Sequence, residues 1–123
     1  MLKKTVTYKD YNDVERTEDY YFHLNEAEVM ELETSVNGGL STMIDRVVAA
    51  QDGATIMKVF KDIILRAYGV KSDDGRRFIK NQEVRDDFVQ TEAYSIIFME
   101  LVTDAEAAAK FINGIIPQNK STE

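Results

Sequence analysis

The chain has 123 residues, of which 15 are basic and 22 acidic, giving a net charge of −7 and a pI near 4.7. That length suits one domain with one core, and 44% hydrophobic with 30% charged residues is a globular balance rather than a disordered one. The acidity argues against a nucleic-acid binder, whose phosphate contacts need a basic surface; the lack of cysteine removes disulfides, thiolate metal sites and cysteine nucleophiles; and no apolar run approaches the roughly 20 residues of a membrane span.

The first residues lack the long apolar stretch of a signal peptide, so the default location is the cytosol. Two short basic patches, Lys3-Lys4-Lys9 and Arg76-Arg77-Lys80, have acids close by and read as solvated strand and loop.

Residues 2–24 read as two strands. Thr5-Val6-Thr7-Tyr8 and Tyr20-Tyr21-Phe22-His23-Leu24 alternate, and Asp10-Tyr11-Asn12-Asp13 is a turn between them. A two-residue turn on Asn12-Asp13 would set Val6 against Asp19. Pairing Val6 with Phe22 and Tyr8 with Tyr20 collects apolar side chains on one face, which predicts a bulge or an odd-length loop.

From Leu24 onward the period becomes helical. Asn25 and Glu28 form a capping pattern ahead of Val29, Leu32 and Val36, and Asn37-Gly38-Gly39 is a stop. Ser41 caps a short second helix carrying Ile44, Val47 and Val48, broken at Asp52-Gly53. Ile56, Val59, Phe60, Ile63, Ile64 and Ala67 define the clearest amphipathic helix, ending at Tyr68-Gly69. A polar loop, Lys71 to Gly75, follows. Asn81 caps a helix from Val84 to Gln90, and Thr91 starts another with Tyr94, Ile97, Phe98, Leu101 and Val102 as its stripe. Thr103 with Glu106 is a second capping-box pattern, opening an alanine-rich helix that ends at Asn113-Gly114. Residues 118–123 are polar and predicted to be a disordered tail. The expected architecture is α+β: one mainly helical domain over residues 1–117, with a β-hairpin at 2–24 and about five or six helices over 25–117.

The residues offer little for catalysis. His23, the only histidine, ends a strand with no serine or cysteine pattern to activate and no further ligands for a metal, and reads as a half-exposed structural residue. Glu26, Glu28, Glu31 and Glu33 spread around the polar side of a helix, and Asp73-Asp74 and Asp86-Asp87 diverge, whereas catalytic carboxylates must converge in a cleft. Gly38-Gly39 lacks the spacing and lysine of a phosphate loop, and Asp73-Asp74-Gly75 lacks the ligands of a calcium loop. No catalytic, metal or cofactor residue is assigned.

Apolar surface remains. Met30, Met43, Met57 and Met99 lie beside or off the main helix stripes. Their simpler role is to fill gaps in the core; exposed, they would suit an adaptable groove. Phe111, Ile112, Ile115 and Ile116, close to the polar tail, either dock on the domain or bind a partner.

The second half of the chain carries an ordered set of motifs. These are Tyr68-Gly69-x-Lys71-Ser72-x-Asp74-Gly75-Arg76-Arg77-Phe78-Ile79, then Gln90-Thr91-Glu92-Ala93-Tyr94-Ser95 with Phe98-Met99-Glu100-Leu101. After them come Thr103-Asp104-Ala105-Glu106-Ala107-Ala108-Ala109 and Phe111-Ile112-Asn113-Gly114-Ile115-Ile116-Pro117. Over residues 68–117 this set resembles the tail assembly chaperones of long-tailed, siphovirus-type bacteriophages. The resemblance implies a non-enzymatic assembly factor without cofactor, working in the cytoplasm of the infected host and missing from the mature virion. Its partner would be the tape measure protein, kept soluble until tail tube protein polymerises around it. A programmed frameshift would make a longer form of the chain, and the present sequence, stopping soon after Pro117, fits the short product.

No client-contacting residue is marked by the resemblance. Apolarity and position select Phe98, Met99, Phe111, Ile112, Ile115 and Ile116. A homo-oligomer is compatible with the residues, through exposed apolar strands or helices, the edge strands of the hairpin being one route. Two other functions are compatible with the residues: a structural tail or head–tail connector protein, and a small regulatory protein that binds a host factor.

Overall fold

In the computed structural model, which describes residues 1–35 and 53–117, Leu2–Lys9 (β1) and Glu15–Phe22 (β2) form an antiparallel hairpin. Its register places Leu2 opposite Phe22, Lys4 opposite Tyr20, Val6 opposite Glu18 and Tyr8 opposite Arg16. The expected pairing of Val6 with Phe22 and Tyr8 with Tyr20 is therefore displaced, although the connecting loop, residues 10–14, has the odd length that was expected. Asp10 fixes that loop. Its carboxylate accepts from the N–H groups of Asn12 (2.8 Å) and Val14 (3.0 Å) and pairs with Arg16. Asp13 takes the left-handed conformation (φ 62°) that aspartate tolerates better than most residues. The displacement keeps even-numbered residues on the inner face, so Val6, Tyr20, Phe22 and Leu24 are still buried. Matching apolar partners failed as a guide because Glu18, opposite Val6, is satisfied by hydroxyl donors: Tyr8 at 2.6 Å and Tyr20 at 2.9 Å.

Helix α1 (Glu26–Ser35) begins with the expected capping box. Asn25 N–H donates to Glu28 Oε1 (2.9 Å) and Glu28 N–H to Asn25 Oδ1 (2.8 Å). Leu32 is buried and Val29 partly so. Val36, the Asn37-Gly38-Gly39 stop, Met43, the Ser41-capped helix and the tail at 118–123 fall outside the described residues.

Helix α2 (Gly53–Ala67) buries Phe60, Ile63, Ile64 and Ala67, as its periodicity predicts. Tyr68-Gly69, read as the end of this helix, instead starts a second hairpin, Tyr68–Lys71 (β3) and Phe78–Ile79 (β4), and the expected polar loop with its Asp74-Gly75 turn connects the two strands. Such short strands carry no readable alternation. Ser72 N–H donates to Arg77 O (2.9 Å) across the turn, with Gly75 at φ +76°. Tyr21 pairs with Gly69 and Phe22 with Tyr68, giving one four-stranded sheet in the order β1-β2-β3-β4. Gly69 is required there, since a Cβ would meet the Phe78 ring at 2.7 Å.

Three helices close the core: α3 (Gln82–Val89), α4 (Glu92–Thr103) and α5 (Ala105–Ile115). Asn81 and Thr91 cap α3 and α4 as expected, accepting from Val84 and Tyr94 N–H at 2.8 and 3.2 Å. The cap of α5 is Asp104, not Thr103: Asp104 Oδ1 accepts from Glu106 and Ala107 N–H, while the Thr103 hydroxyl donates back to Met99 O within α4. Helix α5 also continues through Asn113-Gly114 to Ile115.

Phe22 and Phe88 lie at the centre of the core. Phe88 stacks on Tyr68 with ring centroids 4.1 Å apart, and Phe22 meets Phe111 edge-on at 5.2 Å. Hairpin, small sheet and helices thus form an α+β domain, mainly helical, with aromatic contacts that link the sheet to α3, α4 and α5.

Candidate binding surface

The six residues selected for client contact separate into two groups. Phe111, Ile112 and Ile115 are buried, Phe111 to 2% exposure, and α5 is tied to the hairpin by Leu24 N–H donating to Ile115 O (2.7 Å). Ile116 and Phe98 are half-buried against the core, Phe98 stacking on Tyr94 at 5.8 Å. Met99 is 51% exposed.

Met99 has an apolar neighbour that the sequence reading did not select. Ile96, one turn earlier on α4, is 45% exposed, and Glu92 lies a further turn back on the same helix face. The Tyr11 hydroxyl, from the hairpin loop, donates to Glu92 at 2.9 Å, and Tyr11 is itself exposed. Tyr11, Ile96 and Met99 therefore follow one line along the outer side of α4, opposite the buried Ala93, Ile97 and Leu101. The available signal was that Ile96 stands off the Tyr94–Ile97–Leu101 stripe; the contribution of Tyr11 depends on where the hairpin loop lands. The Lys4–Glu100 ion pair (2.6 Å) borders the line on the β1 side.

The core-filling role expected for the methionines does not hold for Met30, Met57 and Met99, all exposed. Other residues of the same helices fill the core there: Leu32, then Phe60 with Ile63 and Ile64, and Ile97 with Leu101.

Several of the polar residues weighed for chemistry make contacts within the fold. His23 is half-buried; its Nδ1 has no hydrogen-bond partner. Burial holds its pKa below the usual histidine range, assisted by the positive N-terminus and Lys80 and opposed by Glu28. Lys80, grouped above with a solvated basic patch, is half-buried instead, its side chain donating to Glu28 Oε2, His23 O and Arg66 O. Asp74 braces the β3–β4 turn, accepting from Ser72 and from Arg76 N–H. Asp86 accepts from Gln82 (2.7 Å). Among the described residues no group of three or more histidine, aspartate or glutamate side chains is placed to hold a metal ion, and no helix is long and apolar enough to cross a membrane.

A small acidic α+β domain that displays isoleucine, methionine and tyrosine along one helix has the make-up of a binding protein. The chain matches the phage tail assembly chaperone family over residues 1–122, and it belongs to that family. No curated protein and no solved structure matches it.

Proposed function

We propose that this chain binds the tape measure protein and keeps it soluble until tail tube protein polymerises around it. It acts without cofactor or covalent chemistry, in the cytoplasm of the infected host, and leaves before the virion is complete. Membership of the chaperone family carries this reading. A long helical client with apolar stripes needs an apolar, adaptable surface on a soluble body. The Tyr11–Ile96–Met99 line on an acidic domain supplies both. Phe98 and Ile116 lend their partly exposed edges, and Phe111, Ile112 and Ile115 support the surface from the core. Tail tube protein and a longer frameshifted form of the chain are further partners in this reading.

Co-expression with the tape measure protein of the same gene cluster tests this. The expected result is a soluble, co-purifying complex that is lost in the Ile96→Glu/Met99→Glu variant. Insoluble client beside abundant, folded domain, with the longer form also supplied, overturns it.

A further inference from the structure

Strands β2 and β3 pair only through Tyr21↔Gly69 and Phe22↔Tyr68, and beyond Gly69 strand β3 turns away to pair with β4. A groove of about 440 Å³ opens between them, and its two sides differ. The rings of Tyr20 and Tyr68 both meet Phe88 of α3. Alternation along each strand therefore turns Glu18, Tyr20, Tyr68 and Val70 toward the α3 side, and Asp19, Tyr21 and Lys71 away from it. On the far side the chain supplies its own cation, Lys71 Nζ lying 4.1 Å from the centre of the Tyr21 ring.

The α3 side has acceptors to spare. Tyr68 lines the groove and is only 9% exposed, yet its hydroxyl has no hydrogen-bond partner among the described residues. Asp87 and Glu18 both stand near enough to act on that hydroxyl by charge. Glu18 uses Oε1 to accept from the Tyr8 and Tyr20 hydroxyls, while its Oε2 has the Arg16 guanidinium no nearer than 3.5 Å. Asp87, exposed on α3, forms no ion pair among the described residues. Val70, 41% exposed, adds an apolar wall.

A buried hydroxyl left without a partner is costly, and the group that completes this one must be a positively charged donor able to reach separate acceptors at once. A divalent cation needs carboxylates gathered on one point, and among the described residues no group of three or more histidine, aspartate or glutamate side chains is so placed. An ammonium is a compact point charge. A guanidinium presents five donors in one plane, and its flat face and aliphatic stem pack on aromatic and apolar walls. The chain already uses one in this way, the Arg16 guanidinium joining Asp10 to Glu18. The net charge of −7 favours the approach of a basic segment.

We propose that the α3 side of this groove receives an arginine side chain of the client, its guanidinium bridging Glu18, the Tyr68 hydroxyl and Asp87 while an apolar neighbour of that arginine lies against Val70. The site rests on the client reading above and adds a polar contact to the apolar one along α4.

Titration of a short acetylated and amidated peptide, with arginine between valines, into the isotope-labelled full chain tests this by nuclear magnetic resonance. Wild type is expected to show saturable shifts at Tyr68, Val70 and Asp87 that weaken with salt. The same peptide with lysine should bind several-fold more weakly, and with neutral citrulline not at all. Tyr68→Phe and Asp87→Asn should each weaken arginine binding about threefold to tenfold, and Glu18→Gln/Asp87→Asn should abolish it. Circular dichroism checks folding; Asp87 is exposed, so Asp87→Asn keeps the test decisive if another variant does not fold. Equal binding of the arginine and citrulline peptides, shifts confined to other residues, or no binding to wild type overturns the proposal. So does self-association of wild type that Asp87→Asn abolishes, which would give the groove to a second copy. Co-expression separates this site from the function. Client recovered equally with wild type and with Glu18→Gln/Asp87→Asn overturns the arginine site alone. Client insoluble beside wild type overturns the chaperone reading instead, and the peptide titration then decides the groove.

Discussion

Lys80 and Glu28, far apart in sequence, meet through a 2.7 Å contact from Nζ to Oε2. The same ammonium donates to His23 O at 2.7 Å and Arg66 O at 2.9 Å. One cation thereby joins the end of β2, the first turn of α1 and the last turn of α2, where helix carbonyls lack intrahelical donors. The Lys80 side chain retains only 9% exposure, and burial pulls its pKa below the ordinary lysine value despite the Glu28 partner. Lys80→Met is expected to lower stability by about 1–3 kcal/mol, less than for a fully buried pair because Glu28 keeps contact with solvent. An unchanged urea midpoint would show that the three contacts contribute nothing net.

Phe88 makes the tightest aromatic contact, stacked on Tyr68 at 4.1 Å and 13°, with Tyr20, Phe22 and Tyr94 also against its ring. Phe88→Ala is expected to cost about 3–5 kcal/mol, and Phe88→Leu distinctly less. Equal losses in thermal or denaturant unfolding would contradict the part given to ring stacking.

Gly69 and Phe78 are coupled by space. Gly69→Ala places a methyl 2.7 Å from the Phe78 ring and should cost about 1–3 kcal/mol in overpacking. In a Phe78→Ala background the same change should cost markedly less. A double-mutant cycle in urea measures this, and additive losses would exclude the clash.

Acidification should weaken the fold in two stages. The folded pKa of His23 lies below its ordinary 6.5, mainly through burial. The unfolded chain therefore binds the proton first, and the stability conferred by the neutral ring begins to fall as pH drops below 6.5 and is lost through the lowered folded value. Glu18, held below its ordinary 4.5 by the Tyr8 and Tyr20 hydroxyls, adds its loss only at lower pH. His23→Gln should flatten the upper stage alone in unfolding midpoints between neutral pH and about pH 5; an unaltered slope there would discount the histidine.

Surface and core variants near the C-terminus should behave differently. Ile96→Glu/Met99→Glu is expected to shift stability by no more than about 0.5 kcal/mol per site while abolishing client recovery. Phe111→Asp buries an unpaired charge and should unfold the domain. Circular dichroism beside the co-expression assay separates the cases; a folded Phe111→Asp protein that loses only the client would move the binding surface to α5.

Helices were legible because their determinants lie within a turn or two. The Asn25–Glu28 box, the caps at Asn81 and Thr91 and the apolar stripe from Ile56 to Ala67 each act over three to seven residues. Thr103 was misread because Asp104, the next residue, competes for the same N–H groups and wins them. The binding surface was half legible: Met99 stood off its stripe, but so do residues that merely pack, and only burial separates Met99 from Phe111.

By itself the sequence determined the α+β class, the inner and outer faces of the hairpin, the positions of the described helices and, through its ordered motifs, the family. These follow from local periodicity, capping and residue identity. Tertiary structure alone decided the β1–β2 register, the β3–β4 pair, the burial of Lys80 and the line from Tyr11 to Met99. Each depends on which distant groups satisfy one another. Glu18 can stand opposite Val6 because Tyr8 and Tyr20 both donate to it, and Lys80 can leave water because Glu28 and two main-chain carbonyls accept its hydrogen bonds. That kind of satisfaction is a property of assembled space and leaves no period in the chain.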